Sequence, residues 1–356
     1  MQSEVDLYKR TTNPEVNAEI ERFEAEFDGL TDQFELLDKI GEGTFSFVYR
    51  AIDLWSPTKK SLVAVKRIHA TSSPRRIYTE LDILSTLKSS PHICEIVTVL
   101  RCRDQVLLVM PCINFTDFRY IYMSTDLGEM RSYMSELLKA LAFTASKGVI
   151  HRDVKPTNFL YDIHTKRGVL VDFGLAEYQQ EKGNCTCRLP RIENHTFKPR
   201  NGYIQDDTRP PRRANRAGTR GFRPPEVLLK CNRQDHKIDV WAAGVVLLML
   251  LTRRFPFFNS LDDADALVEM ATIFGRREMR QVSLLHNCVF ETNIPTISEE
   301  RTPWAQLIDW SREERVREDN PEESNAIDLL DKMMTLDCRQ RLSAAECLQH
   351  EFFSDT

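Results

Sequence analysis

His151-Arg152-Asp153-Val154-Lys155-Pro156-Thr157-Asn158, followed shortly by Asp172-Phe173-Gly174, is the stretch to which the rest of the chain can be referred. It sets an acid, a cation and an amide at spacings that suit phosphoryl transfer, a reaction that needs positioning and charge stabilisation more than covalent help. The stretch reads as a catalytic loop.

The 356 residues, 42% of them hydrophobic, suffice for one large domain or two lobes with sizeable cores. A formal net charge of −5 argues against a protein that coats nucleic acid, and no direct sequence-specific nucleic-acid binding is expected. Nine cysteines stand mostly alone in apolar stretches, which suits reduced core thiols better than a disulfide framework. The N-terminus lacks the basic and apolar regions of a secretory signal. The longest apolar run, Trp241 to Leu251, is well short of the roughly 20 residues of a membrane span. An intracellular soluble protein without membrane attachment is expected.

Upstream of the loop, residues 1–33 are polar and acidic, with a weak helical period in Val16, Ile20, Phe23 and Phe27. They read as a surface helix or partly ordered tail, or as a docking segment. From Phe34 the period changes to alternation, through Leu36, Asp38 and Ile40, and Gly41-Glu42-Gly43-Thr44-Phe45-Ser46-Phe47-Val48 follows. Glycine lacks the Cβ that would hold a phosphate away from backbone N–H groups, so this hairpin is either a phosphate cradle or a plain turn. Leu62-Val63-Ala64-Val65-Lys66 is a further strand, and an ammonium at the end of an apolar run calls for an anion. Ile77, Leu81, Leu84 and Leu87 recur at helical spacing and leave Glu80 beside their stripe, able to reach Lys66. Val106 to Met110 reads as a buried strand, and Pro111-Cys112-Ile113 breaks it at a lobe boundary.

Met130, Met134, Leu137 and Leu141 predict a core helix over 129–147 that stops at Gly148. After Gly174 the chain is irregular and basic, with nine Lys or Arg against five Asp or Glu from Glu177 to Ala217. Helix returns at Asp239-Val240-Trp241, with an apolar continuation that must be buried all round. Residues 276–324, where Trp304 and Trp310 are flanked by charge, predict an insertion lying on the surface. Ser343 with Glu346 three residues on predicts a capping box.

Taken in order, the glycine-rich hairpin, Val63-Ala64-Val65-Lys66, Glu80, His151-Arg152-Asp153-x-Lys155-x-x-Asn158, Asp172-Phe173-Gly174, Pro224-Pro225-Glu226, Asp239-x-Trp241 and Arg341 resemble the protein-kinase signature set over residues 34–353. The resemblance implies an α+β, bilobal protein kinase fold with a small β-rich N-lobe and a larger helical C-lobe. The implied division is an extension at 1–33, an N-lobe with hinge at 34–112, and a C-lobe at 113–356 carrying insertions at about 177–217 and 276–324. It implies ATP and Mg²⁺ as cofactors. Ile40, Gly41, Gly43, Ser46, Val48, Ala64, Lys66, Met110, Pro111 and Ile113 would bind the nucleotide, with Met110 as gatekeeper and Pro111 to Ile113 as hinge. Lys66 held by Glu80 would orient the phosphates, Asn158 and Asp172 would hold Mg²⁺, and Asp153 would take the proton of the attacking hydroxyl. Lys155 and Thr219 match the serine/threonine branch. Glu226 and Arg341 match the family's buried ion pair.

Three departures stand out: Lys66 and Glu80 are only fourteen apart, Pro224 replaces the usual alanine, and Asp172 to Glu226 spans 55 residues. The short first spacing suggests that Glu80 needs support from outside the chain. The long segment, with Arg216-Ala217-Gly218-Thr219-Arg220-Gly221-Phe222-Arg223 and Phe255-Pro256-Phe257-Phe258, is similar to the catalytic subunits of the Dbf-dependent replication kinases in their fungal form. That similarity implies a nuclear kinase, inactive alone, that binds a Dbf-type regulatory subunit and phosphorylates the MCM helicase at replication origins. Arg216, Arg220 and Arg223 suit recognition of an acidic or phosphorylated residue beside the acceptor. Cys185, Cys187 and His195 look like part of a zinc site whose fourth ligand comes from elsewhere. Two other readings are an active kinase of a casein-kinase-like family without a Dbf-type subunit, and a non-catalytic pseudokinase scaffold. The latter usually loses Lys66, Asp153 or Asp172, and all three are present.

Overall fold

The computed structural model describes residues 9–43, 46–56, 61–180, 187, 215–312 and 320–354. Chain contacts divide it into two units, Met1–Asn114 and Phe115–Thr356. In the first, helices α1 (Pro14–Glu26) and α2 (Leu30–Gln33) precede strands β1 (Phe34–Glu42), β2 (Ser46–Asp53) and β3 (Ser61–Ile68). Helix α3 (Pro74–Leu87), β4 (Thr98–Cys102) and β5 (Gln105–Pro111) follow. The strands form one antiparallel sheet in the order β1-β2-β3-β5-β4.

Register assigns the two faces of this sheet. Val48 lies opposite Lys66, which lies opposite Leu108, and Ala64 lies opposite Met110. Because side chains alternate and cross-strand partners share a face, Val48, Ala64, Lys66 and Met110 stand on one side. Tyr49, Ala51, Val63, Val65, Leu107 and Val109 stand on the other, and there they join Ile20, Phe23, Phe27 and Leu30 in a single buried core. Residues 14–33 are therefore not a surface tail: Ile20 and Phe23 are fully buried. Asn13 caps α1 by accepting from the Glu15 N–H, and Pro14 occupies the first turn, so the helix begins where its local sequence says it should. What the weak periodicity concealed is that a sheet covers its apolar face.

Helix α3 starts six residues after β3 ends, with the Ser73 side chain accepting from the Arg76 N–H. Its buried face is Glu80, Ile83, Leu84 and Leu87, rotated from the stripe expected around Ile77 and Leu81, and it carries Glu80 in its middle rather than at its edge.

The second unit comprises α4 (Phe118–Ser124), α5 (Leu127–Ser146), β6 (Val149–Ile150), β7 (Phe159–Asp162), β8 (Arg167–Leu170), β9 (Glu177–Tyr178) and α6 (Pro225–Leu228). It continues through α7 (Lys237–Thr252), α8 (Asp263–Leu285), α9 (Trp304–Arg312), α10 (Pro321–Met333) and α11 (Ala344–Cys347). Helix α5 buries Met130, Met134, Leu137 and Leu141, as the spacing predicted, and α7 is buried from Ile238 to Thr252. Ser343 and Glu346 make both bonds of the capping box.

The described residues of the stretch 276–324 do not all lie on the surface. Ile297, Trp304 and Ile308 are buried, Trp304 packs edge-on against Phe274 at 5.6 Å, and its indole N–H donates to Asp331 Oδ1 at 2.9 Å. Trp310, by contrast, lies out in solvent. The fold breaks α8 at Gly275, whose φ of +74° only glycine adopts readily and where a Cβ would meet the Glu300 carbonyl carbon at 2.6 Å. The Arg276 and Arg277 N–H groups then donate to Ser298 and Glu299, so the polar segment is fastened to the helix by its backbone.

All eight described cysteines are free thiols, and burial pushes those of Cys94, Cys338 and Cys347 up to about 12. No described helix is long and apolar enough to cross a membrane.

Candidate active site

The two units contribute separate sets of groups. In the first, Lys66 Nζ and Glu80 Oε1 are 2.6 Å apart with both side chains almost fully buried. An isolated charge of either sign there would be costly, so each requires the other. The fourteen-residue spacing is bridged by an early, well-capped α3, which sets Glu80 against Lys66. At the hairpin, the Gly43 N–H donates to the Ser46 carbonyl at 2.9 Å and Gly41 lies opposite Val48, while Ile40 is largely exposed. Pro111 ends β5 and the Cys112 N–H donates back to Leu62, which leaves Ile113 just beyond the sheet.

In the second unit the loop from His151 to Asn158 is held from three sides. Asp239, on α7, accepts the backbone N–H groups of His151 and Arg152 at 2.7 and 2.8 Å, which explains why an acid stands in a helix otherwise buried all round. Burial pushes the Asp239 carboxyl upward, and the two N–H donors work against that push. His151 has its Nε2 at 3.0 Å from the Val171 carbonyl and accepts the Asp153 N–H at Nδ1, a pattern that fits the Nε2–H tautomer. Its ring meets Phe173 edge-on at 4.8 Å, which couples the loop to Asp172-Phe173-Gly174.

Asp153 is the centre of this arrangement. Its Oδ1 accepts from the Thr219 N–H at 2.8 Å and the Thr219 hydroxyl at 2.6 Å, and its Oδ2 faces Lys155 Nζ at 2.8 Å. Lys155 also donates to the Thr219 hydroxyl at 2.9 Å. Burial by itself would raise the Asp153 carboxyl, but the hydrogen bond and charge of Lys155, with Thr219, outweigh it and hold the group below the usual carboxylate range. Asn158 turns its Nδ2 to Asp153, donating to the backbone carbonyl at 2.9 Å and to Oδ2 at 3.1 Å, which directs its own Oδ1 elsewhere. The Asn158 carbonyl accepts the Val171 N–H, so it is tied to the residue just before Asp172. Asp172 itself sits at φ +60°, a conformation that non-glycine residues keep mainly where the surroundings enforce it. An amide oxygen and a carboxylate are hard donors of the kind Mg²⁺ prefers.

Of the three arginines after the loop, the structure brings two together: Arg216 and Arg223 both pair with Asp263, at 2.6 and 2.9 Å. Arg223 also donates twice to the Gly218 carbonyl, so it anchors the segment as well as carrying charge. Arg220 stands apart and exposed.

The sulfur and imidazole groups are arranged differently from the sequence expectation. Cys187 meets Cys231 and His286, with ligand atoms all within 4.8 Å of one another and Cys187 Sγ 3.6 Å from His286 Nδ1. Cys185 and His195 lie outside the described residues. Cys231 and His286 were missed because they are isolated in sequence and no short spacing links them.

A protein kinase domain pattern matches residues 34–353. The chain is 45% identical to the cell cycle serine/threonine-protein kinase hsk1 of Schizosaccharomyces pombe, over 94% of this chain and 75% of that protein. It is 38% identical to the cell cycle protein kinase spo4 of the same organism, over 98% and 91%. It is 40% identical to the probable cell division control protein 7 homolog 2 of Encephalitozoon cuniculi, over 90% and 91%.

Proposed function

We propose, because this chain belongs to the protein kinase family and to its cell-division-control-7 type of serine/threonine kinase, that it phosphorylates Ser or Thr beside acidic or phosphorylated residues. Its substrates would be MCM helicase subunits in the nucleus, and a Dbf-type regulatory subunit its partner. The observation that carries the acidic preference is the placement of Arg216, Arg220 and Arg223 within four residues of Thr219, which itself holds the Asp153 carboxylate.

Each side chain has a task in that reaction. Asp153, ionised at neutral pH, orients the acceptor hydroxyl and takes its proton as the new P–O bond forms. Lys155 lies where its ammonium offsets charge on the moving phosphoryl group, and Thr219 keeps both residues in register. Lys66, fixed by Glu80, orients the α- and β-phosphates. Asn158 and Asp172 would hold Mg²⁺, which neutralises phosphate charge when bound. The cation surplus around Arg216 and Arg220 favours a carboxylate or phosphate next to the acceptor, an interaction of about 1.5 to 3 kcal/mol for charged hydrogen bonds.

Transfer of labelled phosphate from ATP to matched peptides tests this. A Ser-Asp or Ser-phosphoSer acceptor is expected to exceed Ser-Ala by about tenfold or more in kcat/KM. Equal rates would end the acidic-substrate reading. Addition of a co-purified regulatory subunit is expected to raise turnover, and full activity of the chain alone would remove the partner from the proposal.

Cys187, Cys231 and His286 extend the reading to a structural zinc ion, since thiolates and imidazole are the donors of tetrahedral Zn²⁺ sites. It would fasten the basic segment to the residues after Glu226. One zinc per chain by elemental analysis, lost on Cys231→Ser, is expected; metal-free purified protein would refute it.

A further inference from the structure

Arg152 is a buried cation whose partners the catalytic scheme leaves unused. Only 8% of the residue is exposed, so its charge must be met from within the protein. Glu177 meets it: Arg152 Nη2 donates to Glu177 Oε1, while Nη1 donates to Gln234 Oε1 at 2.6 Å. The other Glu177 oxygen accepts from Asn215 Nδ2 at 2.9 Å. Gln234 in turn donates to the carbonyls of Asn215 at 3.0 Å and Cys231 at 2.8 Å.

Glu177 and Asn215 stand at opposite ends of the long segment, 38 residues apart. Glu177 is placed by β9, which pairs with β6 so that Glu177 lies opposite Ile150, the residue before His151. Asn215 accepts the Ala217 N–H on its side chain and so turns the chain toward Gly218. Gly218 has φ +108°, and a Cβ there would stand 2.4 Å from the Arg152 carbonyl oxygen, so the returning backbone rests directly on Arg152. The next residue is Thr219, with its two bonds to Asp153. A continuous path thus leads from the Glu177 carboxylate through Arg152 to the groups that hold the catalytic acid.

We propose that Glu177 is a positioning residue that supplies from within the chain the anion Arg152 requires, closing both ends of the segment so that Thr219 is set without phosphorylation of that segment. The proposal rests on the kinase reading and deepens it. The two terminal nitrogens of Arg152 are already met from within the chain, Nη2 by the Glu177 carboxylate and Nη1 by the Gln234 amide oxygen. The length and sequence of the intervening residues then matter little to the catalytic geometry, because the clasp forms at their two ends.

Glu177→Gln, isosteric but uncharged, and Glu177→Ala test this in the kinase together with its regulatory subunit, with turnover measured on the acidic peptide. Both are expected to lower kcat about tenfold or more with the KM for ATP within about twofold. Arg152→Ala added to Glu177→Ala is expected to lower kcat by less than about twofold further, because the two residues act as one unit. Phosphatase treatment of the wild-type enzyme is expected to leave kcat unchanged. Near-wild-type kcat for Glu177→Gln would overturn the proposal, and so would loss of wild-type activity on phosphatase treatment. Asp153→Asn in the same assay separates the two readings: if it is inactive while Glu177→Gln is normal, only the positioning role fails; if it is fully active, the kinase reading falls.

Discussion

Asp153→Asn is expected to lower kcat by about 10²- to 10⁴-fold, the range a positioned general base contributes. The geometry explains why so small a change suffices. An asparagine oxygen can still accept from the Thr219 N–H and hydroxyl, now at 2.8 and 2.6 Å from Oδ1. Its amide hydrogens, however, would face Lys155 Nζ and Asn158 Nδ2, both of which point donors at Oδ2. The variant therefore loses the base and repels the lysine that should meet the phosphoryl group. Its fold should survive, because two of the four bonds persist and the site sits on backbone held by Asp239. Phosphate transfer, measured beside a thermal melt, checks both halves of the statement. Turnover within about tenfold of wild type would remove Asp153 from the base's role. Because Lys155 and Thr219 hold its carboxyl below the usual range, Asp153 is charged throughout neutral pH, and its protonation should not limit activity there.

Glu226→Ala is expected to act on stability instead, by about 3 to 5 kcal/mol in the unit from Phe115 onward. Glu226 and Arg341 are 115 residues apart in sequence and form a bidentate pair, Nη1 to Oε1 at 2.7 Å and Nη2 to Oε2 at 3.0 Å, with essentially no solvent contact. Arg341 also donates to the carbonyls of Thr335 and Lys237 and lies over the Trp241 ring at 5.1 Å. Those contacts place the guanidinium but cannot neutralise it, so loss of the carboxylate leaves an uncompensated charge in a dry core. Denaturant unfolding monitored by the buried Trp241 gives the measurement. A loss below about 1 kcal/mol would mean that water reaches the pair and that it is not structural. Replacement of both partners by apolar residues of similar volume should recover much of the loss.

Lys66→Ala deserves a different expectation from Asp153→Asn. The buried contact with Glu80 means that removing Lys66 also strands a carboxylate in the core, so the conservative Lys66→Arg is the cleaner probe.

The local sequence determined the kinds of groups and their immediate neighbours: the acid, lysine and asparagine of one loop, the buried spacing of α5, the enclosed α7, and the capping box at Ser343. These features depend on residues within a turn or two of each other, where backbone geometry fixes what can meet. Tertiary structure decided what covers each surface and which distant groups pair. It put Phe23 of an apparent tail under the sheet, folded Trp304 into the core behind a glycine break, and brought Cys187 to Cys231 and His286. It also closed Glu177 onto Arg152. Periodicity shows that a helix has an apolar face but not which element buries it, and a lone charge shows a need for a partner but not where that partner lies. Such choices are made by burial itself, since the cost of an unpaired charge or an uncovered ring is felt only once the chain has closed around it.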